Sequence, residues 1–293
     1  MPGYVPSWSF AARRAAYSRD PRLRPWGVSP WRKVAGIVWH RGLVGCNICG
    51  WYGERFDGML HSESATCLGC GSIARDRFLY HCWTTRVPYS RSARVLETSP
   101  RLGPRYRQRM ARVVDYLASD YDERAHRANL HIDLQAIDLP AEDLDVILTA
   151  HVLEHVPDTD QALSEVHRVL KPGGVALIAV PVPQAVTISP TQPEYHGDET
   201  LVYWRFGLDL TDRLRDHGFA TNILVTEDFV RRMTTQTPWG YNEPDVQADD
   251  LLAGADRYLG DMVSVASERE CQWLGLAPSF FFVAWEACKP AQD

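Results

Sequence analysis

The chain has 293 residues, 45% of them apolar and 23% charged, values that exclude disorder over most of its length. That length suits one large domain with a small accessory unit. A formal charge of -6 disfavours retention of nucleic acid by overall electrostatics, which needs a basic footprint.

No apolar run of about 18 residues occurs, and no charged start leads into a short apolar core, so neither a membrane span nor a secretory signal is predicted. A cytoplasmic location is the expectation. Residues 1–40 carry seven Arg or Lys against one acid, Asp20. We read them as a basic arm that packs its aromatic residues onto the rest of the protein, an organelle transit segment being the alternative.

Residues 41–90 read as a zinc-ribbon module with a connecting helix. The pairs "CNIC" (Cys46, Cys49) and "CLGC" (Cys67, Cys70) are two C-x2-C knuckles separated by 17 residues, a spacing that reads as a structural zinc site. A tight C-x2-C turn presents two thiolates to one side of a tetrahedral ion, and Gly50 and Gly71 follow where the chain turns back. Four thiolates leave no open position, so the predicted ion is a folding device. A disulfide framework would need an oxidising compartment, and a redox C-x-x-C would not need a second copy. Cys82, Cys271 and Cys288 lack partner spacing and are expected to be buried apolar fillers.

From Arg94 onward, short β-branched runs alternate with amphipathic helical stretches, the pattern of a parallel sheet wrapped by helices. "RVLET" is a first strand, "YRQRMARVVDYL" a helix, and "LASD" the end of a second strand at Asp120. "ANLHID" is a third, ending at Asp133, and "LDVILTA" (144–150) has the apolar run of a buried central strand. "DTDQALSEVHRVLKPGG" places Ala162, Leu163, Val166, Val169 and Leu170 on one helical face, with Asp158 or Thr159 as N-cap. "GVALIAVPV" is a fifth strand. "DLTDRLRDHGF" reads as a helix, "ATNILVTE" and "PSFFFVAWEA" as strands, and residues 228–277 as a substrate-side insert with helix at "DDLLAGADRYLGDMVSVASERE".

The block "LDVILTAHVLEHVPDTDQALSEVHRVLKPGGVALIAVPV" resembles the central segment of class I S-adenosylmethionine-dependent methyltransferases, and the likeness extends more loosely over residues 90–290. It implies a Rossmann-like, seven-stranded, mostly parallel sheet with helices on both faces over residues 91–293, behind the small zinc ribbon. Zinc-bearing relatives include bacterial methyltransferases of uncertain substrate and guanine methyltransferases of ribosomal RNA. The resemblance implies that Glu97 sits near the methionyl amino group, Asp120 binds the ribose hydroxyls and Asp133 touches the adenine amino group. It also assigns Thr98, Ser99, Gly103, Leu134, Ala150 and His151 to the walls of the cofactor site. Carboxylates at the carboxyl ends of parallel strands suit that task, because one carboxylate accepts two hydroxyl protons.

One segment departs from the family pattern. "ETSPRLG" has Ser99 and Arg101 where E-x-G-x-G-x-G has glycines, and only Gly103 stays in register. S-adenosylmethionine has no phosphate, so the demand for close backbone approach is softer than in a dinucleotide fold.

Methyl transfer from a sulfonium gains from positioning the acceptor and, where needed, taking its proton. His151 and His155 of "HVLEH" follow the fourth strand, and "PEYHGDETLVYWRFG" (193–207) holds Tyr195, His196, Asp198, Tyr203 and Arg205. We take His151 and His196 as candidates for acceptor contact or catalysis, with Trp239, Tyr241 and Tyr258 supplying further wall. The expected activity is transfer of a methyl group to an O, N or C atom of a small molecule. An RNA base methyltransferase and a degenerate methyltransferase-fold binding module are the rivals, and a homodimer is left open.

Overall fold

The computed structural model describes residues 44–59, 63–122, 128–182, 184–196, 200–237, 251–252, 254–278 and 280–291. The basic arm at 1–40, Asp198, Trp239 and Tyr241 lie outside the described residues. No helix among those described is long and apolar enough to cross a membrane.

The cysteine module opens with β1 (Val44–Gly45) and β2 (Tyr52–Gly53), paired antiparallel, and leads into α1 (Ala74–Arg86). The main sheet then builds in chain order from β3 (Arg94–Thr98), α2 (Pro104–Val113), β4 (Asp115–Asp120), β5 (Leu130–His131), β6 (Leu144–Ala150), α3 (Thr159–Val169) and β7 (Leu170–Ala179). A short hairpin, β8 (Glu194–Tyr195) and β9 (Leu201–Val202), interrupts it. There follow α4 (Leu210–Asp216), β10 (Ala220–Thr226), α5 (Glu227–Thr235), β11 (Met262–Ala266), α6 (Glu268–Leu274) and β12 (Val283–Cys288).

Spatially the strands run β11-β10-β12-β7-β6-β3-β4-β5. β12 is antiparallel to both of its neighbours, and every other adjacent pair is parallel. Strand order reverses between β3 and β6, which creates the crevice at which ligands bind in open α/β sheets.

Side-chain alternation divides the core into two layers. Leu96, Ile147, Ile178, Ile223 and Trp285 face α3, α4 and α5. Val95, Val146, Leu148, Leu177 and Leu224 face α1, α2, α6 and the cysteine module. That module is therefore part of the second core layer. On α3, Ala162, Leu163, Val166 and Val169 are buried as their spacing predicts, and Asp158 caps the helix by accepting from the Gln161 amide at 2.9 Å.

The α/β class stands, with differences in detail. Among the described residues the sheet has eight strands where seven are expected. "MVSVA" (262–266), placed within a helix by the sequence reading, is a strand parallel to β10. Its branched residues favour the pleat, and Ser267 starts α6 immediately after it through a reciprocal capping box with Glu270. Thus residues 228–277 extend the far edge of the sheet as well as carrying α5 and α6. Leu170 begins β7 and does not end α3, and α2 stops at Val113, where branched residues and an extended Val114 turn the chain into β4.

Gly207 marks a close crossing of two chain segments. A Cβ there would lie 2.5 Å from backbone atoms of Ala185 and Val186. Because backbone cannot rotate away as a side chain does, Gly207→Ala should lower stability by about 1–3 kcal/mol, read from the midpoint of chemical unfolding; an unchanged midpoint would show that the two segments separate freely.

Candidate active site

Residues expected at the cofactor site gather at the carboxyl edge of the parallel strands. Glu97, Thr98 and Ser99 end β3, Asp120 ends β4, Asp133 and Leu134 follow β5, and Ala150 and His151 end β6. Ser99 has φ 46° and His151 φ 55°, so both strands flanking the switch point leave the sheet through a left-handed non-glycine residue. Such conformations cost energy and persist where surrounding contacts hold them. Ser99 is fixed by its amide, which donates to Ser119 O at 2.7 Å, and His151 by its amide to Ala179 O at 2.8 Å. The serine in the glycine-poor loop therefore takes the backbone region that glycine would favour. Gly103 is extended and caps α2, and nothing lies within 4 Å of where its Cβ would stand.

The three acids differ in environment. Glu97 Oε2 accepts from the hydroxyls of Tyr106 at 2.9 Å and Tyr116 at 2.7 Å. Burial pushes its pKa up to about 7, against the pull of those hydroxyls. Asp120 is buried, and its Oδ1 accepts the Asp122 amide at 3.0 Å. Asp133 Oδ1 accepts the Gln135 amide at 2.9 Å.

Beyond the ends of β6 and β7 lies a cavity of about 400 Å³. Phe280, Phe281, Phe282 and Trp204 supply apolar wall, and Arg75, His151, Glu154, His196, Glu194 and Arg205 supply polar groups. Both histidines selected from sequence, His151 and His196, therefore line one space, with Tyr195 and Arg205 beside them. Tyr203 lies outside that lining, as does Tyr258, whose hydroxyl is 2.6 Å from Asp212 Oδ2.

Local hydrogen bonds explain how the wall is built. The amide of Tyr203 donates to Glu154 O at 2.9 Å, and His155 Nδ1 lies 2.7 Å from Leu201 O. Arg205 grips Glu194 with two bonds of 2.9 and 2.6 Å. The β8–β9 hairpin is thereby held against the 3-10 turn Leu153–His155, and the His196 and His155 rings meet edge to face with centroids 4.7 Å apart.

Glu154 was embedded in the recognised motif and not singled out as a functional group by the sequence reading. Its side chain is 1% exposed, and neither carboxylate oxygen has a hydrogen-bond partner among the described residues. His151 Nδ1 approaches to 3.6 Å and His155 Nε2 to 4.0 Å. Burial raises the Glu154 pKa to about 8, while burial, and then the Arg75 charge, holds His151 well below the usual histidine range.

Arg75 and Glu63 were also missed, for a different reason. They belong to the cysteine module, which the spacing rules read as a metal site alone. Arg75 pairs with Glu63 at 3.0 Å, Glu63 Oε2 comes within 3.9 Å of His151 Nε2, and Arg101 of the glycine-poor loop pairs with Asp76 at 3.3 Å. Only the fold brings residues 63–76 against residues 101 and 151.

The four knuckle cysteines converge. Cys46 and Cys70 sulfurs are 3.7 Å apart, and Cys49 and Cys67 sulfurs 3.6 Å. A tetrahedron with bonds of about 2.3 Å has edges of about 3.8 Å, so four thiolates so spaced fit a zinc ion. The Gly69 amide points to Cys67 Sγ at 3.3 Å, and Gly50 and Gly71 take positive φ where each knuckle turns back. Cys82 and Cys271 are buried, whereas Cys288 is partly exposed.

A sheet with this strand order takes ligands at the carboxyl ends of its strands, where the residues ending β3, β4 and β6 and the cavity beyond β6 and β7 all lie. A family model described as a methyltransferase domain matches residues 103–178. A probable S-adenosylmethionine-dependent methyltransferase of Mycolicibacterium smegmatis is 39% identical over 181 residues, covering 50% of this chain and 70% of that protein. An uncharacterized 37.1 kDa protein in transposon TN4556 of Streptomyces fradiae is 31% identical over 157 residues, 48% of this chain and 42% of that protein. Among solved structures, the YcgJ protein of Bacillus subtilis covers 74% of this chain and 100% of its own at 13% identity, with a TM-score of 0.42. The chain belongs to the S-adenosylmethionine-dependent methyltransferases and is an enzyme of that family.

Proposed function

We propose that the enzyme methylates a small-molecule acceptor held in the cavity beyond β6 and β7. The observation that carries this reading is the cavity itself. Its volume of about 400 Å³ falls in the range of small-molecule sites, and its aromatic walls with a few convergent polar groups suit a compact ring or sugar-like acceptor. Glu154, His151 and His196 would face that acceptor, and Phe280, Phe281 and Phe282 would exclude water from it.

S-adenosylmethionine supplies the methyl group. In this reading Asp120 holds the ribose hydroxyls, Asp133 and Leu134 border the adenine, and Glu97 pairs with the methionyl ammonium. Ser99, Thr98 and Gly103 would present the loop backbone, with Ala150 and His151 closing the methionine end. In an in-line displacement, this chain's main contribution is to hold acceptor and methyl donor in one geometry with water excluded. Zinc in the Cys46, Cys49, Cys67 and Cys70 cluster would fix the module that delivers Arg75 and Glu63 to the cavity. The matching sulfur spacings support that role.

Titration calorimetry with S-adenosylhomocysteine tests the cofactor assignment. Binding is expected for the zinc-loaded protein and an affinity loss of at least about 100-fold for Asp120→Ala, which removes both hydroxyl acceptors at once. Undiminished binding by a folded Asp120→Ala protein would remove that residue from the site. Transfer of labelled methyl from S-adenosylmethionine to a panel of small hydroxylated and aromatic acceptors, beside ribosomal RNA, then tests the acceptor class.

A further inference from the structure

We propose that Glu154, His155 and His196 form a binding site for a divalent transition-metal ion at the wall of the cavity, separate from the cysteine cluster. One ligand atom from each of the three lies within 4.8 Å of the others. Coordination at about 2.1 Å needs spacings of about 3.4 Å in a tetrahedral arrangement, so small side-chain rotations close the set.

The carboxylate is the strongest indication. Glu154 is 1% exposed, both of its oxygens lack a hydrogen-bond partner among the described residues, and Oε1 lies 4.0 Å from His155 Nε2 and 3.6 Å from His151 Nδ1, with His196 completing the set within 4.8 Å. A buried carboxylate without a partner is costly. A cation between it and the rings removes that cost, whereas the wall guanidiniums are engaged with other carboxylates, Arg75 Nη1 with Glu63 and Arg205 with Glu194.

His155 is prepared for the task. Its Nδ1 lies 2.7 Å from Leu201 O, and a carbonyl can only accept, so Nδ1 carries the hydrogen. In the neutral ring Nε2 then keeps its lone pair, and it is Nε2 that lies 4.0 Å from Glu154 Oε1. An imidazole anchored through one nitrogen to a backbone carbonyl, with the other directed into a cluster, is the arrangement by which proteins orient metal-ligating histidines. His196 reaches the cluster from the opposite side, on the hairpin closed by its amide to Thr200 O at 2.9 Å.

Two imidazoles and one carboxylate form a borderline donor set that suits zinc, iron, cobalt or nickel better than magnesium or calcium. Three protein ligands also leave coordination positions open, in contrast to the four-thiolate cluster. Glu154 and His196 both line the cavity, so those positions would receive oxygen donors of an acceptor, such as adjacent hydroxyls. That last step rests on the cavity being the acceptor site, but binding of the ion does not.

The test is a Co2+ titration of full-length protein whose cysteine site is already filled with zinc, followed by visible absorption in the absence of cofactor and acceptor. The proposal expects weak d–d bands that saturate, with no thiolate charge-transfer band. It also expects these bands to be lost in Glu154→Gln and His196→Asn while zinc content and S-adenosylhomocysteine binding are retained. Absence of the bands in the native sequence, bands that persist unchanged in both variants, or cobalt seen only as a thiolate complex would each overturn it. Cofactor binding is measured separately, so failure of the methyltransferase site and failure of the metal site give different results.

Discussion

Arg77→Met should lower the unfolding free energy by about 3–5 kcal/mol, the cost of breaking a buried charged network on one side. Arg77 is fully buried, at 0% exposure. Its Nε donates to Leu274 O at 2.7 Å, its two terminal nitrogens donate to Ser72 O at 2.7 Å and Ala65 O at 2.8 Å, and its guanidinium lies 3.7 Å from the Phe56 ring centre. One side chain thus ties the cysteine module to the C-terminal end of α6, about two hundred residues away in sequence. Methionine keeps much of the volume but takes the Arg77 donor from the Leu274 and Ala65 carbonyls, each costing about 1–3 kcal/mol when buried without a donor, while Ser72 O keeps the Cys67 amide at 2.8 Å.

The charge of Arg77 also needs a counterpart. Burial pulls its pKa down, while the charges of Cys46, Cys67, Asp76 and Cys70 pull it back up. Four thiolates around Zn2+ carry a net charge of about −2, so a filled cysteine site balances the guanidinium beside it. Chelation of zinc should therefore destabilise the same region, and the Arg77→Met effect should shrink in chelated protein because both act on one network. Arg77→Lys is expected to recover little, since an ammonium cannot span three carbonyls and stack on a ring at once. Guanidinium unfolding curves of the zinc-loaded proteins provide the measurement, and a loss below about 1 kcal/mol would show that water replaces the guanidinium at those carbonyls.

The reach of the sequence differs by kind of element. β6 was legible to the residue because Leu144–Ala150 is dominated by large apolar residues, with Val146, Ile147 and Leu148 in unbroken succession, as a central parallel strand requires. The start and buried face of α3 were legible because its apolar stripe follows an Asp cap, whereas its end was not, since the chain passes straight into β7 at Leu170. β11 was not, because its five residues sit among polar helix formers and its parallel partner lies some forty residues upstream. Propensity within a window does not see that partner.

The candidate site divides in the same way. Glu97, Asp120 and Asp133 could be named because each lies at or near the carboxyl end of a strand, a position readable in one dimension; their part in holding the cofactor stays a proposal. The cavity wall was found only in part. His151 and His196 stood out as histidines, but Glu154 is one letter of a familiar motif, and nothing local distinguishes a carboxylate lacking partners from a solvated one. Arg75 and Glu63 belong to a module that looks separate in sequence, and the approach of Glu63 to His151 is a property of tertiary packing alone.

S-adenosylhomocysteine affinity should fall about tenfold per pH unit as pH drops below about 7, a loss of about 100-fold over two units. The origin is Glu97, whose pKa burial has raised from an ordinary 4.5 to about 7. Above about pH 7 the carboxylate is ionised and can pair with the ligand's ammonium. Below that it holds a proton, which binding must expel, and the slope continues until the pH reaches the lower pKa of the bound state. In the ligand-free enzyme the sign for stability follows from the same shift. The native state holds this proton more tightly than the unfolded chain does, so the contribution to stability is full below about 4.5 and is lost as pH rises through about 7. On this assignment, cofactor binding and ligand-free stability should respond to Glu97 in opposite directions, because the ligand's ammonium would offset the cost of the buried carboxylate above neutrality. Calorimetry in buffers of different ionisation enthalpy should register release of close to one proton on binding at about pH 6 and little at about pH 8. Glu97→Gln removes the titrating group, so that variant should bind weakly at all pH values with the slope flattened. A steep slope retained in the glutamine variant would move the titration to another residue, and a flat profile in the native sequence would take Glu97 out of contact with the ammonium.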